Sequence, residues 1–109
     1  MTRGEIWTAG GGGAYTGKLR PVVIVQDDRF SETESITVCP LTSDAAPLPL
    51  FRVPVDPTDA NGLTAISRVM ADKLTTVPKD RLGRRIGRLD DETMVRLNRA
   101  MTVFLGIAD

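Results

Sequence analysis

The apolar and polar positions of this chain keep a strand-like rhythm to about residue 88 and a helical one after it. Ile6–Ala9 reads as a short first strand, and Gly10–Gly17, with glycines at 10 to 13 and 17, follows as a flexible loop. Pro21–Val25 is a continuous β-branched run, the pattern of a central strand buried on both faces. Its leading proline suits a first position, because proline donates nothing to a ladder. Asp27–Arg29 turns the chain, Ile36–Cys39 resumes it, and Pro40 is expected to break it there. Leu50–Val53 alternates and predicts a half-buried fourth strand ending at Pro54, before the turn formers of Asp56–Gly62. Ala65–Met70 predicts a fifth strand and Leu74–Val77 a shorter sixth.

From Leu89 the spacing widens, and Met94, Leu97, Met101, Phe104 and Leu105 fall on one helical face. Asp90 or Asp91 can cap its first amides, acidic Asp91 and Glu92 suit the positive end of the dipole, and Leu89 can staple onto Met94. Strands first and one helix last predict a mainly β fold with a C-terminal helix, its short bent sheet curling into a barrel. With 109 residues, 41% of them hydrophobic, one core of moderate size is expected, so residues 1–109 are read as a single domain. A core this small favours pairing with a second copy of the chain, so a homodimer is expected.

Charge and cysteine content narrow the chemistry. Fourteen Lys plus Arg balance fourteen Asp plus Glu, so any attraction for phosphate must be local. The single cysteine, Cys39, forms no internal disulfide, and without histidine the usual Cys/His zinc site is excluded; no metal or other cofactor is expected. No apolar run approaches the roughly 18 residues that span a bilayer. A cytoplasmic protein without membrane contact is the expectation.

Gly12–Lys18 nearly matches phosphate-loop spacing, but Leu19 stands where that motif needs Ser or Thr, and a strand follows where it needs a helix. The Gly10–Gly17 segment is therefore read as a flap that governs access to a neighbouring pocket. Arg20 enters the buried strand at that flap, and its five donors match phosphate oxygens in pairs. Thr42, just beyond the third strand, would lie beside it if the two strands are neighbours. Asp72, after the fifth strand, can serve as a base or hold an arginine in place. Each has a plainer reading, respectively a surface ion pair, a turn hydrogen bond and the start of a turn. Lys79, Arg81, Arg84, Arg85 and Arg88 against the lone Asp80 form a basic stretch, either a nucleic-acid contact or a solvated face. Trp7, Tyr15 and Phe30 are too scattered for a base-stacking platform, and Trp7 is expected in the core.

Four motifs in order, Arg3-Gly-Glu-Ile-Trp7, Lys18-Leu-Arg-Pro-Val-Val-Ile-Val25, Ile36-Thr-Val-Cys-Pro-Leu-Thr-Ser43 and Val69-Met-Ala-Asp-Lys-Leu-Thr-Thr-Val77, resemble the MazF/PemK family of toxin ribonucleases, in particular its actinobacterial members. The resemblance implies an SH3-like barrel of the CcdB/PemK type, a homodimer, and sequence-specific cleavage of single-stranded RNA that a MazE-like antitoxin blocks. It also implies that Arg20 and Thr42 are catalytic, with Asp72 on the family's acidic position and Lys18, Ser43, Gln26 and Tyr15 as further substrate contacts. Such an enzyme uses the RNA's own 2′-OH as nucleophile and leaves 2′,3′-cyclic phosphate and 5′-hydroxyl ends without a metal. In a chain without histidine the general base is Asp72, a perturbed Arg20 or water, and the residues leave these three open. Lys73 stands where many relatives have glutamine, so base recognition does not carry over. The rivals are a non-catalytic, CcdB-like gyrase-binding toxin on the same fold and a plain SH3-like interaction module. The arginine and threonine motifs favour the enzyme over the poison, and the scarcity of aromatics disfavours the interaction module.

Overall fold

The computed structural model describes residues 1–10, 18–44 and 50–107. Seven strands precede one helix: β1 Glu5–Ala9, β2 Arg20–Ile24, β3 Ser35–Thr42, β4 Arg52–Val55, β5 Ser67–Met70, β6 Thr75–Pro78, β7 Leu82–Arg88 and α1 Asp91–Leu105. They form one antiparallel array in the order β4-β5-β3-β2-β1-β7, with β6 also paired to β3.

The long β3 makes the curl. On one edge it pairs with β2, and on the other with β6 from Ser35 to Val38, then with β5 from Leu41 to Thr42. Cys39 and Pro40 pair with β2 alone. Pro40 therefore does not break the strand as its sequence position predicts, because it falls where the second edge changes partner and a missing N–H costs no ladder bond there. Thr42 accordingly ends the strand instead of lying beyond it. Pro54 is likewise absorbed into β4, an outer strand paired only with β5, where proline is tolerated.

Strand alternation sorts the side chains onto two faces. Ile6, Val23, Cys39, Leu41, Val53 and Val69 face one cluster, which Met94, Leu97, Ala100 and Met101 of α1 close. Val22, Ile24, Ile36 and Val38 face a second, smaller one, covered by Leu82, Val77 and Trp7. The central β2–β3 pair is thus buried on both faces, as its β-branched run requires. Trp7 covers core as expected and donates its indole N–H to Glu5 Oε1 at 3.0 Å. Burial works to raise the Glu5 pKa, but hydrogen bonds from Thr2, Trp7 and Arg85 outweigh it and bring the group down to about 2.

The helix begins as expected: Asp90 caps it, accepting from the Thr93 N–H at 2.7 Å. Gly106 ends it in the left-handed conformation, φ 74°, which glycine adopts without Cβ strain. Its last turn departs from the expected face, since Phe104 and Leu105 are about half exposed and Phe104 meets only the edge of the core, its ring centroid 5.3 Å from that of Phe51. The basic stretch from residue 79 is also more ordered than its charge suggests. Lys79–Arg81 make a 3-10 turn and Leu82–Arg88 form β7, a strand not singled out in the sequence because arginines occupy its exposed positions and glycines 83 and 87 its tight ones.

Candidate active site

Arg20 is the first residue of β2 and pairs with Ala9 of β1. The β2–β3 register runs Ile24 to Val38, Val23 to Cys39 and Val22 to Pro40. The paired positions end at Val22–Pro40, and Leu41 and Thr42 pair with β5; continued by two steps, the β2–β3 register leads from Arg20 toward Thr42. Side chains at directly opposed positions share a face, with Cβ atoms about 5 Å apart. That face is the one carrying Val22 and Ile24, so the smaller apolar cluster anchors the strands while their polar ends emerge at its margin.

Arg20 is exposed and has neither a hydrogen bond nor an ion pair among the described residues. Thr42 is half-buried; its Oγ1 accepts from the Asp44 N–H at 3.1 Å, which leaves the hydroxyl proton free to donate. The turn hydrogen bond expected of this threonine is present, and it leaves the hydroxyl proton uncommitted. Lys18 and Ser43 flank the pair and are exposed. Beside Arg20 runs a narrow crevice walled by Ala9, Gly10, Val22, Pro40, Val77 and Arg81.

The remaining expectations divide. Asp72, in the 3-10 turn Ala71–Lys73, accepts two hydrogen bonds from Arg52, at 3.1 Å from Nε and 3.0 Å from Nη2, with both side chains largely buried. The Arg52 hydrogen bond outweighs burial and holds the Asp72 carboxyl below the usual carboxylate range. A carboxylate so clamped is a poor proton acceptor near neutrality. The arginine that Asp72 holds is thus Arg52, not Arg20.

Gln26 is displaced from the site by strand geometry. It lies six residues from Arg20, at about 3.3 Å per residue beyond the other end of β2. Both ends of its amide are engaged: Nε2 donates to Phe30 O and Thr33 Oγ1, and Oε1 accepts from the Thr37 N–H. It staples the loop that follows β2. Tyr15 and nearly all of the Gly10–Gly17 flap lie outside the described residues.

In the basic stretch, Lys79 Nζ donates to Ser31 O and Arg85 pairs with Glu5 at 3.0 Å. Arg81, Arg84 and Arg88 make no ion pair among the described residues. Cys39 is fully buried; burial pushes its thiol up to about 12, which removes it from nucleophilic chemistry at neutral pH. A wider concavity between β4, residues 56–61 and the start of α1 sets Asp56, Asp90 and Asp91 against Arg88 and Arg96. Its acidic excess suits a phosphate chain less than the Arg20 end does.

One residue at the site escapes sequence reading. Arg68 of β5 pairs directly with Thr42. In sequence it is one polar position of an alternating strand, and only the β3–β5 register brings it to the threonine.

The chain as a whole is similar to known proteins. The family described as "PemK-like, MazF-like toxin of type II toxin-antitoxin system" matches residues 2–105. A probable endoribonuclease MazF of Mycolicibacterium smegmatis is 55% identical over 108 residues, covering 99% of each chain. Endoribonuclease MazF9 of Mycobacterium tuberculosis is 31% identical over 116 residues, covering 98% of each. Among solved structures, a mycobacterial endoribonuclease in complex with its cognate antitoxin superimposes with a TM-score of 0.81 at 28% identity, over 100% of this chain and 98% of that one. The seven-stranded sheet with its C-terminal helix is the PemK/CcdB-type fold, and the chain belongs to the PemK/MazF family of type II toxin–antitoxin toxins.

Proposed function

We propose that this protein is a metal-independent endoribonuclease toxin that cuts single-stranded RNA, with Arg20 and Thr42 at the reaction centre. The observation that carries the reading is a guanidinium without a partner among the described residues at the start of β2, where the β2–β3 register, continued past its last pair, leads toward a hydroxyl with a free proton at the margin of an apolar face. The endoribonuclease names of relatives up to 55% identical over nearly the whole chain support it.

In this mechanism the 2′-oxygen attacks the adjacent phosphorus, the P–O5′ bond breaks, and the products carry a 2′,3′-cyclic phosphate and a 5′-hydroxyl. Charge grows on the non-bridging oxygens as the phosphorane forms. Arg20 meets it with paired N–H donors, and Thr42 donates its hydroxyl to the same phosphate. Lys18 and Ser43 support the neighbouring backbone. Asp72 contributes by holding Arg52 across β4 and β5, outside the proton transfer. The chain has no histidine and its thiol is buried, so the 2′-OH proton passes to water, and water returns a proton to the departing 5′-oxygen.

The exposed Leu50, Phe104, Leu105 and Ile107 give the protein an apolar end that a second copy would cover, making a homodimer. A MazE-like antitoxin neutralises it, by analogy with the mycobacterial complex. No described helix is long and apolar enough to cross a membrane, in keeping with a cytoplasmic site of action. A CcdB-like gyrase poison on the same fold has no use for a phosphate clamp of this kind.

The test is to incubate the protein with a long unstructured RNA in EDTA and map the fragment ends. Discrete cuts bearing cyclic phosphates are expected. Absence of cleavage, or cleavage only on adding magnesium, overturns the reading.

A further inference from the structure

Arg68 is half-buried on β5, with Thr42 opposite it on one side and Pro54 of β4 on the other. Its Nη1 donates to the Asp44 carbonyl at 3.0 Å, and the Asp44 N–H donates in turn to Thr42 Oγ1 at 3.1 Å. We propose that Arg68 is a positioning residue for RNA cleavage, fixing the turn from Thr42 to Asp44 so that the Thr42 hydroxyl aims its proton at the scissile phosphate beside Arg20. This rests on the reading of Arg20 and Thr42 as the reaction centre.

The physical case is one of orientation. A threonine hydroxyl has one proton and two lone pairs, and alone its proton rotates among several acceptors. The Asp44 N–H fills one lone pair, which drives the hydroxyl proton to another direction and polarises it as a donor. That bond lasts only while residue 44 stays folded back over the strand end. Among the described residues the ladders of β3 end at Thr42, whereas Arg68 is fixed by ladders on both sides of β5. Its guanidinium therefore ties a segment leaving the sheet to one that cannot move. Asp44 also raises the affinity of Arg52 for its proton, which places its charge near a second, ion-paired arginine. Arg68 itself makes no ion pair among the described residues, so its direction is set by the carbonyl.

Two substitutions test this, Arg68→Met, which keeps the aliphatic stem, and Arg68→Lys, which keeps one donor. R68M is expected to lower kcat about tenfold with KM within about twofold, the pattern of a contact realised in the transition state, and R68K to restore most of it. In a Thr42→Ala background R68M should add nothing, because the group it orients is gone. Amide exchange at Asp44, followed by NMR without any RNA, should speed up in R68M and stay near wild type in R68K. Unchanged kcat in R68M, an unchanged Asp44 amide, or a full additive loss on T42A overturns the proposal. A rise in KM with altered salt dependence overturns it as well, by making Arg68 a phosphate contact. A wild-type protein that does not cut RNA defeats the ribonuclease reading first; the exchange result then stands alone in showing whether Arg68 holds the turn.

Discussion

At the Gln26 end of the β2–β3 pair polar side chains close onto the protein, whereas at the Arg20 end they are left open. Gln26 makes three hydrogen bonds and Arg29 is chelated by Asp27, with Nε at 3.1 Å. The Arg20 side chain, at the start of β2, makes no hydrogen bond or ion pair among the described residues, and Thr42 keeps a hydroxyl proton in hand. The same two strands thus provide a stapled loop at one end and an open polar edge at the other. A protein of this size stabilises itself where its hydrogen-bonding groups are satisfied and meets a charged ligand where they are not.

Four changes would break or sharpen that contrast. Arg20→Ala is expected to reduce cleavage by about 100- to 1000-fold, the usual loss on removing a charge-stabilising donor, while the melting temperature stays put. Single-turnover cleavage beside a thermal melt measures both, and a loss below tenfold would deny the open end its role. Asp72→Asn should act the other way, costing about 2 kcal/mol of stability, because it leaves Arg52 without its counter-charge in a largely buried place. Urea unfolding reads that cost; a well-folded variant with greatly reduced cleavage would return Asp72 to the chemistry.

Acid should weaken the closed regions selectively. Glu5 is brought from an ordinary 4.5 to about 2, and Asp72 and Asp90 also lie below the usual range, Asp90 through the Thr93 hydrogen bonds. Groups with depressed folded-state values add stability that is complete above the ordinary carboxylate range and disappears as pH falls through it toward 2. Unfolding curves at pH 7, 4 and 3 should show a progressive fall, and a flat profile would mean these hydrogen bonds contribute little. The smallest effect is expected from Gln26→Ala, about 1 kcal/mol of stability with cleavage unchanged. Reduced cleavage at equal stability would place Gln26 at the substrate after all.

Much of the fold was legible because burial writes itself into residue type. Pro21–Val25 showed its two buried faces, and Asp90 and Leu89 announced the helix. What stayed hidden depends on pairing between segments far apart in sequence. Pro40 looked like a stop because only the exchange of β6 for β5 along β3 makes a proline harmless there. β7 looked like a charged surface run because its inward contacts are made largely by Leu82, Ile86 and a glycine. The site follows the same rule. Arg20 and Thr42 were visible through motif and strand position, while the partner of Asp72, the distance of Gln26 and the presence of Arg68 follow from register, which spacing along the chain does not encode.

The outermost strands bear on how copies of this toxin meet. β4 carries Pro54 and β7 carries Arg84 and Arg85, and the Arg88 N–H at the end of β7 is taken by the Ala60 carbonyl at 2.9 Å. Residues 61 and 62 lie so close over this strand that a Cβ on Gly62 would come within 2.0 Å of Ile86 O, and one on Gly87 within 2.2 Å of Asn61 C. Charge, proline and a covering loop blunt both rims against strand-to-strand growth. A newly made, crowded population of this protein is thereby steered away from open-ended fibrous stacking.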